Sequence, residues 1–212
     1  MNSNLELRQR NDIHFSRKFF HVVGVVFMAV LYHNMVRETA LTVLILASLG
    51  AVVLEITRVR IAALNRFVIS IFGPLMREHE KTNWTGFTYL ILGVLIIVVL
   101  FPHDIVTLSL LFLAIADPAA SYFGIRYGKD RLWGQKSLQG SIAAFFACGL
   151  TSMVYYTVHH LMLDRLLIVG ILSGLAGAIA EAAPLGQLDD NLVLPVLSAL
   201  QLWLIFYVFG GF

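Results

Sequence analysis

The chain has 212 residues, 58% of them hydrophobic and only 13% charged, with a formal net charge of +2 and a mean hydropathy of +0.81. Soluble domains carry about 25% charged residues, so the composition excludes a soluble enzyme and implies a polytopic membrane protein. Its chemistry must then come from helices and short loops. The single cysteine, Cys148, lies in an apolar run, excludes an intramolecular disulfide and reads as a small core hydrophobe.

In chain order, apolar runs of spanning length fall at 19–36, 40–57, 84–101, 106–123, 140–158, 166–183 and 192–209. The first run is long and no small-residue cleavage site follows it, so no cleavable signal is expected. Segment 61–77 differs: Ile61, Leu64, Val68, Ile71, Phe72 and Leu75 share one helical face, and Arg66, Ser70, Gly73 and Arg77 the other. That pattern predicts an amphipathic helix lying in the interface. The expected fold is an all-α polytopic membrane helix bundle, about seven transmembrane helices plus this interfacial one, forming a single unit over 1–212.

The 15 Lys and Arg residues fix an orientation. Arg8, Arg10, Arg17 and Lys18 precede the first span. Arg58, Arg60, Arg66, Arg77 and Lys81 share one loop, and Arg126, Lys129, Arg131 and Lys136 another on the same side. Only Arg37 and Arg165 fall opposite. The positive-inside rule therefore predicts a cytoplasmic N-terminus. It also predicts that the unusual polar residues share the cytoplasmic face: His21, Glu55, Arg58, Thr85, Thr88, Asp117, Ser121, Ser137, Ser141, Glu181, Asp189, Asp190 and Asn191. Ionisable groups at membrane depth cost roughly 2.5–3.5 kcal/mol at a helix centre and usually mark function.

Asp117, Ser121, Gly124 and Gly128 are spaced i, i+4, i+7, i+11 and share a helical face, with Pro118 able to kink the helix. One account is a packing motif with a buried capping Asp. The other is an Asp binding a divalent metal, its glycines leaving room for phosphates. Hard cations such as Mg²⁺ take oxygen ligands and are shared between carboxylates and substrate phosphates. Lys136-Ser-Leu-Gln-Gly-Ser141 opens a span whose backbone N–H groups can bind an anion, with Lys129 and Lys136 adding charge. The spacing is not that of a Walker loop. Asp189-Asp190-Asn191 lies in the one predicted cytoplasmic loop without basic residues, where adjacent carboxylates call for a cation. Glu55 and Arg58 are either an ion pair or a substrate or nucleotide contact, and His21 is within reach of a phosphate. His33, His103, His159 and His160 have only Asp104 as a carboxylate neighbour and predict no metal site.

In order and spacing, these residues resemble the polytopic CTP-dependent lipid kinases (dolichol kinase, phytol kinase and CTP-dependent diacylglycerol kinase). They are more distantly similar to the phosphatidate cytidylyltransferases. The resemblance runs through Arg17-Lys18-x-x-His21, Glu55-x-x-Arg58 and Asp117-x-x-Ala120-Ser121-x-x-Gly124-x-x-x-Gly128. It continues through Lys136-Ser137-x-x-Gly140-Ser141, Glu181 and Leu188-Asp189-Asp190-Asn191-Leu192. Gln139 stands where many relatives have Glu. The cytidylyltransferases' closing motif is replaced by Gly186-Gln-Leu-Asp-Asp-Asn191, which favours a kinase.

The resemblance implies transfer of the γ-phosphate of CTP, or another nucleoside triphosphate, to the hydroxyl of a membrane lipid alcohol, with Mg²⁺ as cofactor. The implied metal ligands are Asp117, Asp189 and Asp190. Lys129, Lys136, Ser137, Gly140, Ser121, Gly124, Gly128, Arg58 and His21 would hold the nucleotide, and Asp190 or Glu181 would take the alcohol proton. The partners are the lipid and the nucleotide, with no nucleic acid; the oligomeric state is open, a homodimer included. CDP-lipid synthesis is the alternative. A cation-coupled transporter fits less well, because the outer halves of the spans are nearly all apolar.

Overall fold

The computed structural model describes residues 15–133, 136–183 and 188–212. Arg8, Arg10, Gly186 and Gln187 lie outside the described residues, as do the side chains of Arg17 and Trp133. Eight α-helices follow one another: α1 (Phe15–His33), α2 (Arg37–Arg60), α3 (Ala62–Phe72), α4 (Gly86–Leu100), α5 (His103–Tyr127), α6 (Leu138–Val158), α7 (Leu166–Ala182) and α8 (Asp190–Phe209). Two short antiparallel strands, β1 (Arg131–Trp133) and β2 (Lys136–Ser137), join α5 to α6. This ribbon is too short to carry a period-2 signal, and the sequence pattern had implied helices alone.

Five helical segments are long and apolar enough to cross a membrane: Arg37–Arg60, His103–Tyr127, Leu138–Val158, Leu163–Ala182 and Asp190–Phe209. Gly86–Leu100 is apolar but shorter, below the roughly 20 residues of a straight span, and α1 is apolar over Lys18–His33. Among the described residues, five of the seven expected runs thus correspond to helices of spanning length. Segment 61–77 is α3 followed by a 3₁₀ turn, Gly73–Leu75. No residue of α3 is fully buried, and Phe67, Ile71 and Phe72 are all more than half exposed.

Helix α5 is the central post. It packs against α1, α6 and α8, and Ile105, Leu108, Phe112 and Leu113 are sealed in the core. Helices α6 and α7 pack closely because glycines face each other. A Cβ on Gly174 would lie 2.6 Å from the Phe145 carbonyl, and one on Gly177 would collide with Cys148. Small residues give membrane helices this proximity, where dispersion replaces the hydrophobic drive. Helix ends are closed locally. Arg37 donates to the Val98 and Val99 carbonyls at 2.9 and 3.0 Å, satisfying the C-terminal end of α4. Gly210 adopts φ 73°, and the Gly211 N–H returns to Phe206 at 2.8 Å to end α8.

Candidate functional site

The C-terminal end of α2 carries a buried ion pair that shapes the loop beyond it. Arg58 has 0% exposure, and its Nε lies 2.7 Å from Glu55 Oε2. Its Nη1 donates to Asn65 Oδ1 at 2.9 Å, and Nη2 donates to the carbonyls of Glu80 and Asn83 at 3.0 and 2.5 Å. Glu55 Oε1 accepts from Thr85 N–H at 3.1 Å and from the Thr85 and Thr88 hydroxyls at 2.6 and 3.1 Å. One acid–base pair therefore ties α2, α3, the 78–83 turn and the start of α4 together. Of the two accounts of Glu55 and Arg58, the geometry realises the ion pair, and most of the guanidinium's donors are spent inside the protein.

The turn so held places Arg77 and Glu80. Glu80 accepts from the Arg77 and Gly86 N–H groups at 2.9 and 3.2 Å, and Arg77 Nη1 lies 2.6 Å from Asp189 Oδ2. Asp189 caps α8 through the Asn191 N–H at 3.0 Å, and Asn191 donates to the Gly86 carbonyl at 3.0 Å. Among the described residues, the one set of three or more His, Cys, Asp or Glu side chains with all ligand atoms within 4.8 Å is His79, Glu80 and Asp189. Asp117, Asp189 and Asp190 do not form such a set. Asp189 pairs with Arg77, whereas Asp190 pairs with Lys136.

Asp190 belongs to a second group. Lys136 Nζ lies 2.7 Å from Glu181 Oε1 and 3.4 Å from Asp190 Oδ2. Burial would by itself lower the Lys136 pKa, but Glu181 and Asp190, with a contribution from Asp117, outweigh it and hold it above its usual value. Glu181 is 5% exposed, whereas Asp190 keeps much of its side chain open. Asp117 is half-buried, and no described residue hydrogen-bonds to it.

The glycine face of α5 approaches the start of α6 closely, and Gly124 also lines a cavity. A Cβ on Gly124 would lie 2.8 Å from Ser137 Oγ, and one on Gly140 would lie 2.7 Å from the Ala120 carbonyl. Ser137 fills the space, and the glycines let α5 and the start of α6 touch. The Ser137 hydroxyl accepts from Gly140 N–H at 3.2 Å, and Leu138 N–H donates to the Asp130 carbonyl at 2.9 Å. Two of the first three amides of α6 are thus satisfied within the protein. Gly128 and Lys129 line a separate shallow depression with Gln139.

A cavity of about 1240 Å³ collects most of the remaining candidates: His21, Arg58, Asp117, Ser121, Gly124, Lys136, Ser137, Gly140, Glu181 and Asp190. Arg77, Glu80, Thr85, Thr88 and Asn191 join them. Asp189 is absent from the wall. Lys18 and Glu55 also line it, and most of the rest is apolar, including Phe20, Gly24, Met28, Ala51, Leu54, Phe72 and Leu90. A volume above the roughly 300–1,000 Å³ of ordinary small-molecule pockets leaves space for more than one substrate.

Over 161 residues the chain is 36% identical to CTP-dependent diacylglycerol kinase 1 of Schizosaccharomyces pombe, across 71% of this chain and 74% of that protein. The chain belongs to the CTP-dependent lipid kinase family. Two more relatives of the family, both CTP-dependent diacylglycerol kinase 1, come from Eremothecium gossypii and Saccharomyces cerevisiae. They are 30% and 29% identical, each over 87% of this chain, covering 64% and 70% of those proteins. No protein-family model matches the chain. No solved structure matches it significantly.

Within this family member, Arg77 and Glu80 line the cavity, and sequence reasoning did not single them out as candidates. They sit in Arg77-Glu-His-Glu-Lys81, a mixed charge run that looks like an ordinary solvated loop. The one available signal was the Asp189-Asp190 pair, which needs a cation nearby; Arg77 and Lys136 each supply one.

Proposed function

We propose that this chain, as one multi-pass integral membrane unit over 1–212, transfers the γ-phosphate of CTP to the hydroxyl of a membrane lipid alcohol, diacylglycerol in first place. The observation that carries this reading is a cavity lined both by cationic and anionic groups, Lys136, Glu181, Asp117 and Asp190 among them, and by apolar side chains such as Phe20, Phe27, Leu54 and Leu90. Its charged groups face the cytoplasm, on the charge asymmetry of the loops. Kinship with three fungal CTP-dependent diacylglycerol kinases supports the donor and the acceptor.

Lys136 supplies a fixed positive charge to the triphosphate and stays protonated through neutral pH. Glu181, buried and 2.7 Å away, positions that ammonium. Asp190, more loosely held at 3.4 Å and more open, accepts the alcohol proton as the lipid oxygen bonds to the γ-phosphorus and CDP departs. Ser121 and His21 face the same space. Arg58 acts through the loop it holds. Asp117 and Asp190 suit Mg²⁺, since Asp117 is a half-buried oxygen donor that no described residue hydrogen-bonds. The His79, Glu80 and Asp189 set fits less well, because Arg77 and backbone amides already occupy its carboxylates. Held by Asp117 and Asp190, Mg²⁺ would supply positive charge to offset that of the triphosphate.

The test is product analysis with the purified protein, CTP labelled at either the α- or the γ-phosphate, and diacylglycerol, polyprenol and phytol as acceptors. Label reaching the lipid from the γ-position alone is expected. Label from the α-position reaching added phosphatidate, with release of pyrophosphate, would mean CDP-lipid synthesis. No transfer to any acceptor would overturn the reading.

A further inference from the structure

The cavity has an apolar half that phosphate chemistry does not explain. Helix α1 lies along α5 and meets the 3₁₀ turn Gly73–Leu75, but it does not pack closely on α2 or α4. The space between is part of the same cavity that reaches Asp117 and Lys136. On the α1 side stands Gly24, where an added Cβ would meet nothing within 4 Å. On the α2 side stand Ala51 and Leu54, one residue before Glu55. Phe27 and Phe87 also line the cavity while remaining 63% and 62% exposed, so this half opens sideways at the apolar surface of the bundle.

We propose that the cleft between α1 and the α2–α4 pair is the lateral entry and binding slot for the acyl chains of the lipid alcohol, with Gly24 and Ala51 as its walls. This rests on the lipid kinase reading above. The physical case is continuity. An acyl chain leaving the bilayer for a slot lined by Gly24, Phe27, Ala51 and Leu54 exchanges one apolar environment for another and never crosses water. The hydroxyl it carries is then delivered to the charged groups of the same cavity. The small side chains at Gly24 and Ala51 leave the width that chains need.

The experiment uses the full chain in mixed micelles, with dioleoylglycerol or dioctanoylglycerol as acceptor. Gly24→Trp and Ala51→Trp fill the slot from opposite walls; Leu150→Trp places the same side chain at an exposed position on α6 as a control. The slot predicts a tenfold or greater rise in the dioleoylglycerol KM for the first two variants, a smaller rise for dioctanoylglycerol, and an unchanged KM for CTP. Equal losses on both acceptors, or no loss in either variant, would overturn it. A photoactivatable diacylglycerol with a diazirine at its chain end, applied to the wild-type protein, tests the slot without mutation or turnover. Label on α1 and α2 supports the slot, and label confined to α6 and α7 refutes it. Correct labelling without phosphate transfer would leave the slot standing and remove the kinase reading; transfer with label elsewhere would do the reverse.

Discussion

Replacing Arg58 with Met separates a structural role from nucleotide binding. The side chain is fully buried and engages Glu55, Asn65 and the carbonyls of Glu80 and Asn83. Methionine keeps much of the volume but removes every donor. Glu55 then becomes a buried carboxylate without its cation, a change that typically costs about 3–5 kcal/mol. The stranded carbonyls add to this unless water reaches them, while the Thr85 and Thr88 hydroxyls still hold Glu55 Oε1 and soften it. The expected loss is therefore about 3–5 kcal/mol, felt first in the 76–86 segment. Thermal unfolding of the purified protein reads the global term. Trypsin reads the local one, because Arg77 and Lys81 are cleavage sites within that segment. Glu55→Gln combined with Arg58→Met should be less unstable than Arg58→Met alone, since the stranded charge is gone. An Arg58→Met protein with unchanged melting and proteolysis, but a tenfold higher KM for CTP, would refute the structural assignment.

Three further outcomes follow from the site. Asp117→Asn should abolish phosphate transfer while leaving folding and membrane insertion intact; a fully active, well-folded variant would sink the metal assignment. Lys136 has a raised pKa, so its pairing with Glu181 and Asp190 contributes stability in full below the ordinary pKa of 10.5 and loses it as pH climbs through the raised value. Lys136→Met should thus cost about 1–3 kcal/mol near neutral pH, discounted for the lysine's partial exposure, and flatten the alkaline fall in melting temperature; melting curves matching the wild type across pH would contradict this. Gly140→Ala places a Cβ 2.7 Å from the Ala120 carbonyl, an overpacking expected to cost about 1–3 kcal/mol, and an unchanged melting temperature would show that the α5–α6 contact is loose.

The residues easiest to find in the sequence were those that violate their surroundings. Asp117 and Glu181 are acids in or beside apolar runs, and the desolvation that makes them conspicuous also forces them toward partners. Their placement on one face with Lys136 and Asp190 was expected from loop charges, and all four line one cavity. The pairing of Arg77 with Asp189 was not, because the partners are 112 residues apart and each sits in an ordinary polar loop. Glycine was ambiguous for a different reason: a missing side chain makes room, and the sequence does not say for what. At Gly124 and Gly140 the occupant is the protein itself, through Ser137 and Ala120. Helix lengths were blurred because hydropathy detects the apolar stretch, not the hydrogen bonds. The run at 106–123 is the middle of a helix whose polar ends extend to His103 and Tyr127.

The contact between Gly124, Ser137 and Gly140 gives the protein a stiff side and a compliant side. Lys136 is anchored one residue from a crossing with no slack, so its charge should hold its place whatever the thickness or fluidity of the surrounding lipid. Among the described residues, helix α1 packs on α5 and touches the Gly73–Leu75 turn rather than packing closely on α2 or α4. A change in bilayer composition should therefore act on acceptor capture and leave nucleotide capture untouched, letting the membrane itself tune how readily it is phosphorylated.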